Sequence, residues 1–292
     1  MKTITSDQIK VILEKHAQYL KKEEGGERAD LRDHDLRGLD LAETNLRDAN
    51  LTGVNLKGTN LVRINLTDAN LNDANLEGAN LSYARLASAN FTDAKLRFAN
   101  LSNTKLTGAN LTDANLEGVN LEGANLMGAN FSDANLEDVN LTGANLMGAN
   151  FSDSNLEGAK LARANLTCVN LTDANLAGAN LVEANLMGAI LTNASLKGAN
   201  LQGTNIMCAK LSDSNLTGAN LAGANLESAN LTDTNLAGAN LRGANLKDAD
   251  LKDGNLAGAN LAGANLEDAY LGGANLKGAN LTSATHIPVT RE

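Results

Sequence analysis

Tryptophan is missing from this chain of 292 residues, proline occurs once, cysteine twice, and aromatic residues make up only 2%. So few aromatics and prolines argue against an ordinary globule of one or two domains. Cys168 and Cys208 provide neither a metal-ligand spacing nor a disulfide framework, so a reducing cytoplasm is the expected compartment. Near the N-terminus there is no apolar signal-peptide core. No segment approaches the ~20 uninterrupted apolar residues of a membrane span. Positive charge is also scarce: 24 Lys and Arg against 34 Asp and Glu give a net charge of −10 and a pI near 4.8. That balance excludes the broad basic face needed to bind nucleic acid or an anionic membrane directly. It leaves room for protein partners that themselves bind polyanions.

What the chain has in abundance is regularity. Its 43% hydrophobic content is nearly all leucine and alanine, accompanied by 27 glycines. From Leu31 to Leu281 every fifth residue is leucine, phenylalanine or isoleucine, with no insertion or deletion. The exceptions to leucine are Phe91, Phe131, Phe151 and Ile206. Alanine is preferred two residues before each apolar position and asparagine one before, so the unit is A-N-L-x-x, ending mostly in glycine or aspartate.

A period of five suits neither common element. Steps of five residues on an α-helix turn by about 140° and scatter the leucines around the axis. On a flat strand an odd step sends successive leucines to opposite faces. A turn inside every unit resolves both conflicts, and glycine in L-x-G-A stands where a type II turn requires positive φ. Where aspartate replaces that glycine, a different turn is expected, with the carboxylate accepting a backbone N–H. A second period is superimposed. Aspartate occupies the last position of the unit at Asp73, Asp93, Asp113, Asp133, Asp153 and Asp173. After Asn193 it returns at Asp213, Asp233 and Asp253, and methionine shares the spacing at Met127, Met147, Met187 and Met207. Twenty residues are four units, so the coil is expected to be square in section.

These features resemble the pentapeptide-repeat family, over about residues 29–283. The resemblance implies an all-β fold, a right-handed quadrilateral β-helix of about 13 coils of 20 residues. In it the central leucine and the alanine two before it point inward, and the other three positions face water. Residues 1–28 depart from the repeat and read as an N-terminal helical cap. A helix starts at Thr5 or Ser6, with Gln8 placed for a capping box and Ile9, Ile12, His16, Tyr19 and Leu20 on one face. Gly25 and Gly26 end it before the first coil. Residues 284–292 form a tail that either folds over the last coil or leaves it to meet a second molecule. Family members that dimerise end to end usually carry a C-terminal helix, which is not evident here, so a monomer is favoured over an end-to-end dimer.

Three outward features are candidate interaction surfaces. The aspartate column reads either as a turn preference, as mimicry of a polyanion with carboxylates about 4.8 Å apart, or as a weak cation site without a Ca²⁺-loop spacing. The methionine column, with Cys168 and Cys208 at the adjoining position, reads as recent duplication or as an adaptable docking surface. The cysteines lie two coils apart, too far for a disulfide. The early coils carry Arg63, Tyr83, Arg85, Lys95, Arg97, Phe98 and Lys105, which are either drift at tolerant positions or a contact site. His16, His34 and His286 are scattered, and no nucleophile–base pair, metal cluster or phosphate-cradling loop appears. The expectation is a non-enzymatic interaction or scaffold module with no cofactor, acting on an unidentified protein partner through the outside of an acidic rod. The alternative, implied by the quinolone-resistance branch of the family, is inhibition or protection of DNA gyrase or another type II topoisomerase by DNA mimicry.

Overall fold

The computed structural model describes residues 2–287. The chain divides into two compact units, Met1–Asn145 and Leu146–Glu292.

In the first unit each pentad makes one side of a square coil. The leucine carbonyl accepts the N–H three residues on, as from Ala114 N to Leu111 O at 3.2 Å, closing a turn whose third residue has positive φ. Glycine adopts this conformation freely (Gly118, φ 63°), yet Asp73, Asp93, Asp113 and Asp133 adopt it too, at φ 57–59°. Aspartate therefore does not change the turn. Its short polar side chain tolerates the left-handed region better than most. Nor does its carboxylate take the turn N–H; the asparagine of the same unit does, Thr112 N donating to Asn110 Oδ1 at 3.2 Å.

Successive coils are joined by single parallel bridges rather than long strands. Asn90 pairs with Asn110 and Asn100 with Asn120, always twenty residues apart, so four pentads close one turn. Leu111 N donates to Asn130 O at 2.7 Å, and Asn110 N to Ala89 O at 3.0 Å. Leucine and alanine point inward and are excluded from water, with Phe91 and Phe131 fully buried among them. Where Thr104 takes an alanine position, its hydroxyl is satisfied by Leu101 O at 2.7 Å. The asparagines are mostly half-buried rather than open to water, because each lies against the next coil.

The cap of this unit is more than a helix. Strand β1 (Lys2–Thr3) pairs in parallel with β2 (His34–Asp35) and covers the edge of the first coil. A two-residue strand carries no periodicity to detect, so it was invisible in the sequence. Helix α1 (Ser6–Lys21) follows, with both halves of the Thr5–Gln8 capping box made. It ends on Lys22 in the left-handed conformation (φ 59°), ahead of the glycines. A Cβ on Gly26 would land on the Tyr19 backbone nitrogen, so that residue is a close-approach glycine. Ile9 and His16 are buried, while Tyr19 is exposed and stacks on the His16 ring, centroids 5.7 Å apart. His16 Nδ1 accepts the Ala29 N–H at 3.1 Å, tying the helix to the first coil.

The second unit repeats the same pattern, with bridges from Asn150↔Asn170 to Asn265↔Thr285. Phe151 and Ile206 are buried, and Ser154, Thr204 and Ser214 donate to the carbonyls of Phe151, Leu201 and Leu211 at 2.6–2.7 Å. In its last coil Leu276 and Leu281 are only half-buried. Of the tail expected over residues 284–292, 288–292 lie outside the described residues.

Candidate interaction surface

The outer face of each coil is organised by asparagine. Along much of the repeat the asparagine Oδ1 accepts the N–H two residues on, as Thr112 N to Asn110, and the Nδ2 donates to the asparagine or threonine one coil earlier. In the first unit the ladder runs Asn140→Asn120→Asn100→Asn80 at 3.1–3.3 Å. In the second it runs Asn280→Asn260→Asn240→Asn220→Asn200 at 2.9–3.3 Å. A side-chain amide both donates and accepts, so it can propagate such a column without limit.

One column of the first unit is broken once, by the exposed Lys95 between Asn75 and Asn115, and another over two successive coils. Asn65 donates to Asn45 at 2.9 Å, but the next two positions are Arg85 and Lys105. They are bridge partners on adjacent coils, both exposed, and neither makes an ion pair or side-chain hydrogen bond among the described residues. With Arg63, Tyr83, Asn45, Asn65, Thr44 and Glu43 they line an open concavity of about 600 Å³. Tyr83 is 56% exposed, with the Arg63 guanidinium 6.0 Å from its ring centre. Arg63 is also paired with Glu43 at 3.3 Å. The structure thus unites Arg63, Tyr83, Arg85 and Lys105.

Arg97 and Phe98 are not part of this group. They lie two pentads further on than Arg85, on the opposite side of the square. Phe98 is 63% exposed and lies over Gly118, where a Cβ would come within 2.6 Å of its ring. Arg97 is 5.1 Å from the Phe98 centroid and paired with Glu117 at 2.6 Å. Beside it Lys57 pairs with Glu77 at 2.7 Å, holding that carboxyl below its ordinary range. On the same face Lys95 is exposed without an ion pair among the described residues, and the buried Arg97 Nε makes no hydrogen bond.

The aspartate column is exposed throughout: Asp73, Asp93, Asp113 and Asp133 in the first unit, Asp153, Asp173, Asp213, Asp233 and Asp253 in the second. Asn72 Nδ2 donates to Asp73 at 2.5 Å, and Lys252 lies 3.7 Å from Asp253. Met127 is exposed in the first unit and Met147 and Met187 in the second, but Met207 is half-buried, against the expectation of a uniformly solvent-facing column. Cys168 and Cys208 are free thiols on exposed turns. Among the described residues no group of three or more His, Cys, Asp or Glu side chains is arranged to hold a metal, and no helix is long and apolar enough to cross a membrane.

Comparison with known proteins agrees with this architecture. The model described as pentapeptide repeats matches in 8 copies, from residues 29–68 to residues 244–282. The crystal structure of HetL, a pentapeptide repeat protein involved in heterocyst differentiation regulation from the cyanobacterium Nostoc sp. strain PCC 7120, is 27% identical. That similarity covers 96% of this chain and 94% of HetL, with a TM-score of 0.32. Rfr23, a pentapeptide repeat protein from the cyanobacterium Cyanothece 51142, is 38% identical over 35% of this chain and 63% of its own, with a TM-score of 0.28. QnrB1, a plasmid-mediated fluoroquinolone resistance protein, is 20% identical over 59% of this chain and 90% of its own, with a TM-score of 0.41. No curated protein matches.

Proposed function

The chain belongs to the pentapeptide-repeat family and has that family's right-handed β-helical fold, and from that premise we propose that it is a non-enzymatic interaction module that binds a protein partner through one face of its first unit. One observation carries this reading: the concavity lined by Arg63, Tyr83, Arg85 and Lys105, where two stacked cations without an internal counter-ion stand beside an exposed ring. A specific partner needs such irregularity, since identical pentads offer it no unique place to bind. Aromatic and arginine side chains are the residue types that anchor protein interfaces. The free thiols Cys168 and Cys208 favour the reducing cytoplasm as the place of action.

The test is crosslinking capture with the wild-type chain and with a Tyr83→Ala/Arg85→Ala/Lys105→Ala variant, each captured partner then being reconstituted from purified components. Loss of a reconstituted partner in the variant supports the reading. An unchanged partner set removes this face from consideration.

A second reading rests on the aspartate column. Within each unit its exposed carboxylates repeat at one-coil intervals of about 4.8 Å, approaching the charge spacing of a nucleic acid backbone. Occupation of the DNA-binding surface of gyrase or another type II topoisomerase would follow. A supercoiling assay at two salt concentrations decides it. Salt-sensitive inhibition abolished by Asp73→Asn/Asp93→Asn/Asp113→Asn supports mimicry, and no inhibition at micromolar protein rejects it.

A further inference from the structure

Arg85 and Lys105 are placed where the fold itself has no use for them. At a bridge between adjacent coils the outward side chains stand about 4.8 Å apart, and like charges directly opposite each other are unfavourable. The asparagines that the column carries on either side, Asn65 and Asn125, would instead have continued the amide ladder across both positions. Ala87 N and Thr107 N correspondingly find no Oδ1 of the kind that Thr67 N finds on Asn65 at 3.2 Å. Lys57 and Arg97 are compensated one coil away, by Glu77 and Glu117, and Lys95, unpaired among the described residues, stands singly between Asn75 and Asn115. The Arg85–Lys105 pair is neither compensated nor single. Two stacked cations that forgo a local ladder and have no internal counter-ion await an anion from outside.

Resting on the function proposed above for this same face, we infer that the concavity receives an acidic segment of the partner protein, its carboxylates bridging Arg85 and Lys105. The spacing fits. Neighbouring carboxylates at positions i and i+3 or i+4 of a helix are about 5–6 Å apart, close to one coil spacing. Arginine offers a planar fork for bidentate carboxylate contact. The exposed Tyr83 ring and the Asn45 and Asn65 amides line the same groove and add apolar and hydrogen-bonding contact. Glu43 lines the same groove and ties up Arg63, and the whole chain carries −10. A long polyphosphate strand would meet that repulsion along its length, whereas a short acidic segment meets it at one point.

The experiment is a fluorescence-anisotropy titration of the full chain with a labelled helical peptide bearing glutamates at i and i+4. Its glutamine counterpart, a single-stranded oligonucleotide and inorganic phosphate as competitor complete the set. The glutamate peptide is expected to bind, to weaken with salt, and to lose roughly tenfold in affinity in Arg85→Asn/Lys105→Asn, two exposed charge pairs being at stake. That variant restores the ladder, so misfolding does not explain a loss; an Arg85→Gln/Lys105→Gln variant is a second control. Equal binding of the glutamine peptide, unchanged affinity in both variants, or tighter binding of the oligonucleotide through the same residues overturns the inference. If no peptide binds while the reconstituted partner still depends on Arg85 and Lys105, the acidic-segment inference fails and the proposed function stands. Peptide binding lost in the variants with an unchanged partner set upholds the anion site and refutes the proposed function.

Discussion

Replacing Arg85 and Lys105 by asparagine is expected to make the protein more stable, not less. The neighbouring columns supply the geometry of the gain. Three amide–amide links would form, from residue 85 to Asn65, from 105 to 85 and from Asn125 to 105, at the 2.9–3.3 Å found along the intact ladders. Two backbone donors, Ala87 N and Thr107 N, would gain the Oδ1 acceptor that Thr112 N has on Asn110. Five half-exposed hydrogen bonds fall at or below the low end of ~0.5–1.5 kcal/mol each, and relief of the like-charge stack adds ~0.2–1 kcal/mol. From these we take ~2 kcal/mol as the expected gain, allowing for the side-chain entropy lost in ordering the amides. A unit of this size would convert that into a rise of about 4–8 °C in melting temperature. Stability in a repeat array is close to a nearest-neighbour sum, so the sharper readout is local. Amide exchange should slow between residues 60 and 110 and stay unchanged in the second unit. A double variant that melts at or below the wild type would refute both the ladder energetics and the claim that these cations oppose the fold.

Two further perturbations probe the rest of the scaffold. Leu116→Ala removes a fully buried side chain from a four-sided core that cannot collapse around the gap, and should destabilise its unit by about 3 kcal/mol. Leu281→Ala, at a half-buried position, should cost about a third of that, and chemical denaturation resolves the two. Acidification should loosen the cap. Burial depresses the His16 pKa below 6.5, the Arg28 charge acting the same way, while the nearby Arg47 backbone and the Asp48 carboxylate oppose the shift. A histidine held neutral by the fold contributes stability that is complete above 6.5 and is lost as pH falls from there towards the lowered folded value. Exchange protection across Ser6–Lys21 should therefore fall between pH 7 and pH 5, and His16→Gln should flatten that dependence.

The architecture was legible because each of its requirements leaves one residue type behind. A crowded inward position that is mostly filled by a small side chain reads as alanine, the centre of the side reads as leucine, and the superimposed twenty-residue spacing counts the corners. Interactions between residues whose identities are individually unremarkable leave no such mark in the sequence. The pattern marks asparagine only as outward, although its amide accepts the turn N–H within one coil and links to the coil before, the reason it is so rarely replaced. Residue type suggests a separate turn for aspartate, although backbone φ at Asp113 and Gly118 differs by only a few degrees, 57° against 63°. The cap strand Lys2–Thr3 was too short to announce itself.

A repeat in which structure dictates most positions concentrates functional information in its departures, and the departures divide by how the fold answers them. Arg97 is answered by Glu117, and the bulk of Phe98 by the bare Cα of Gly118. The hydroxyl of Thr104 is answered by the carbonyl of Leu101. Each such change is absorbed within one coil and can drift in with its compensation. Arg85 and Lys105 have no such answer, and unlike the single break at Lys95 they stack directly on each other beside Tyr83, asparagine returning to the column at Asn125. A substitution that forgoes local stability and is not compensated internally persists when something outside the molecule rewards it. That asymmetry, rather than the size or charge of the surface, sets this concavity apart from the aspartate and methionine columns, whose members keep the turn geometry of their neighbours.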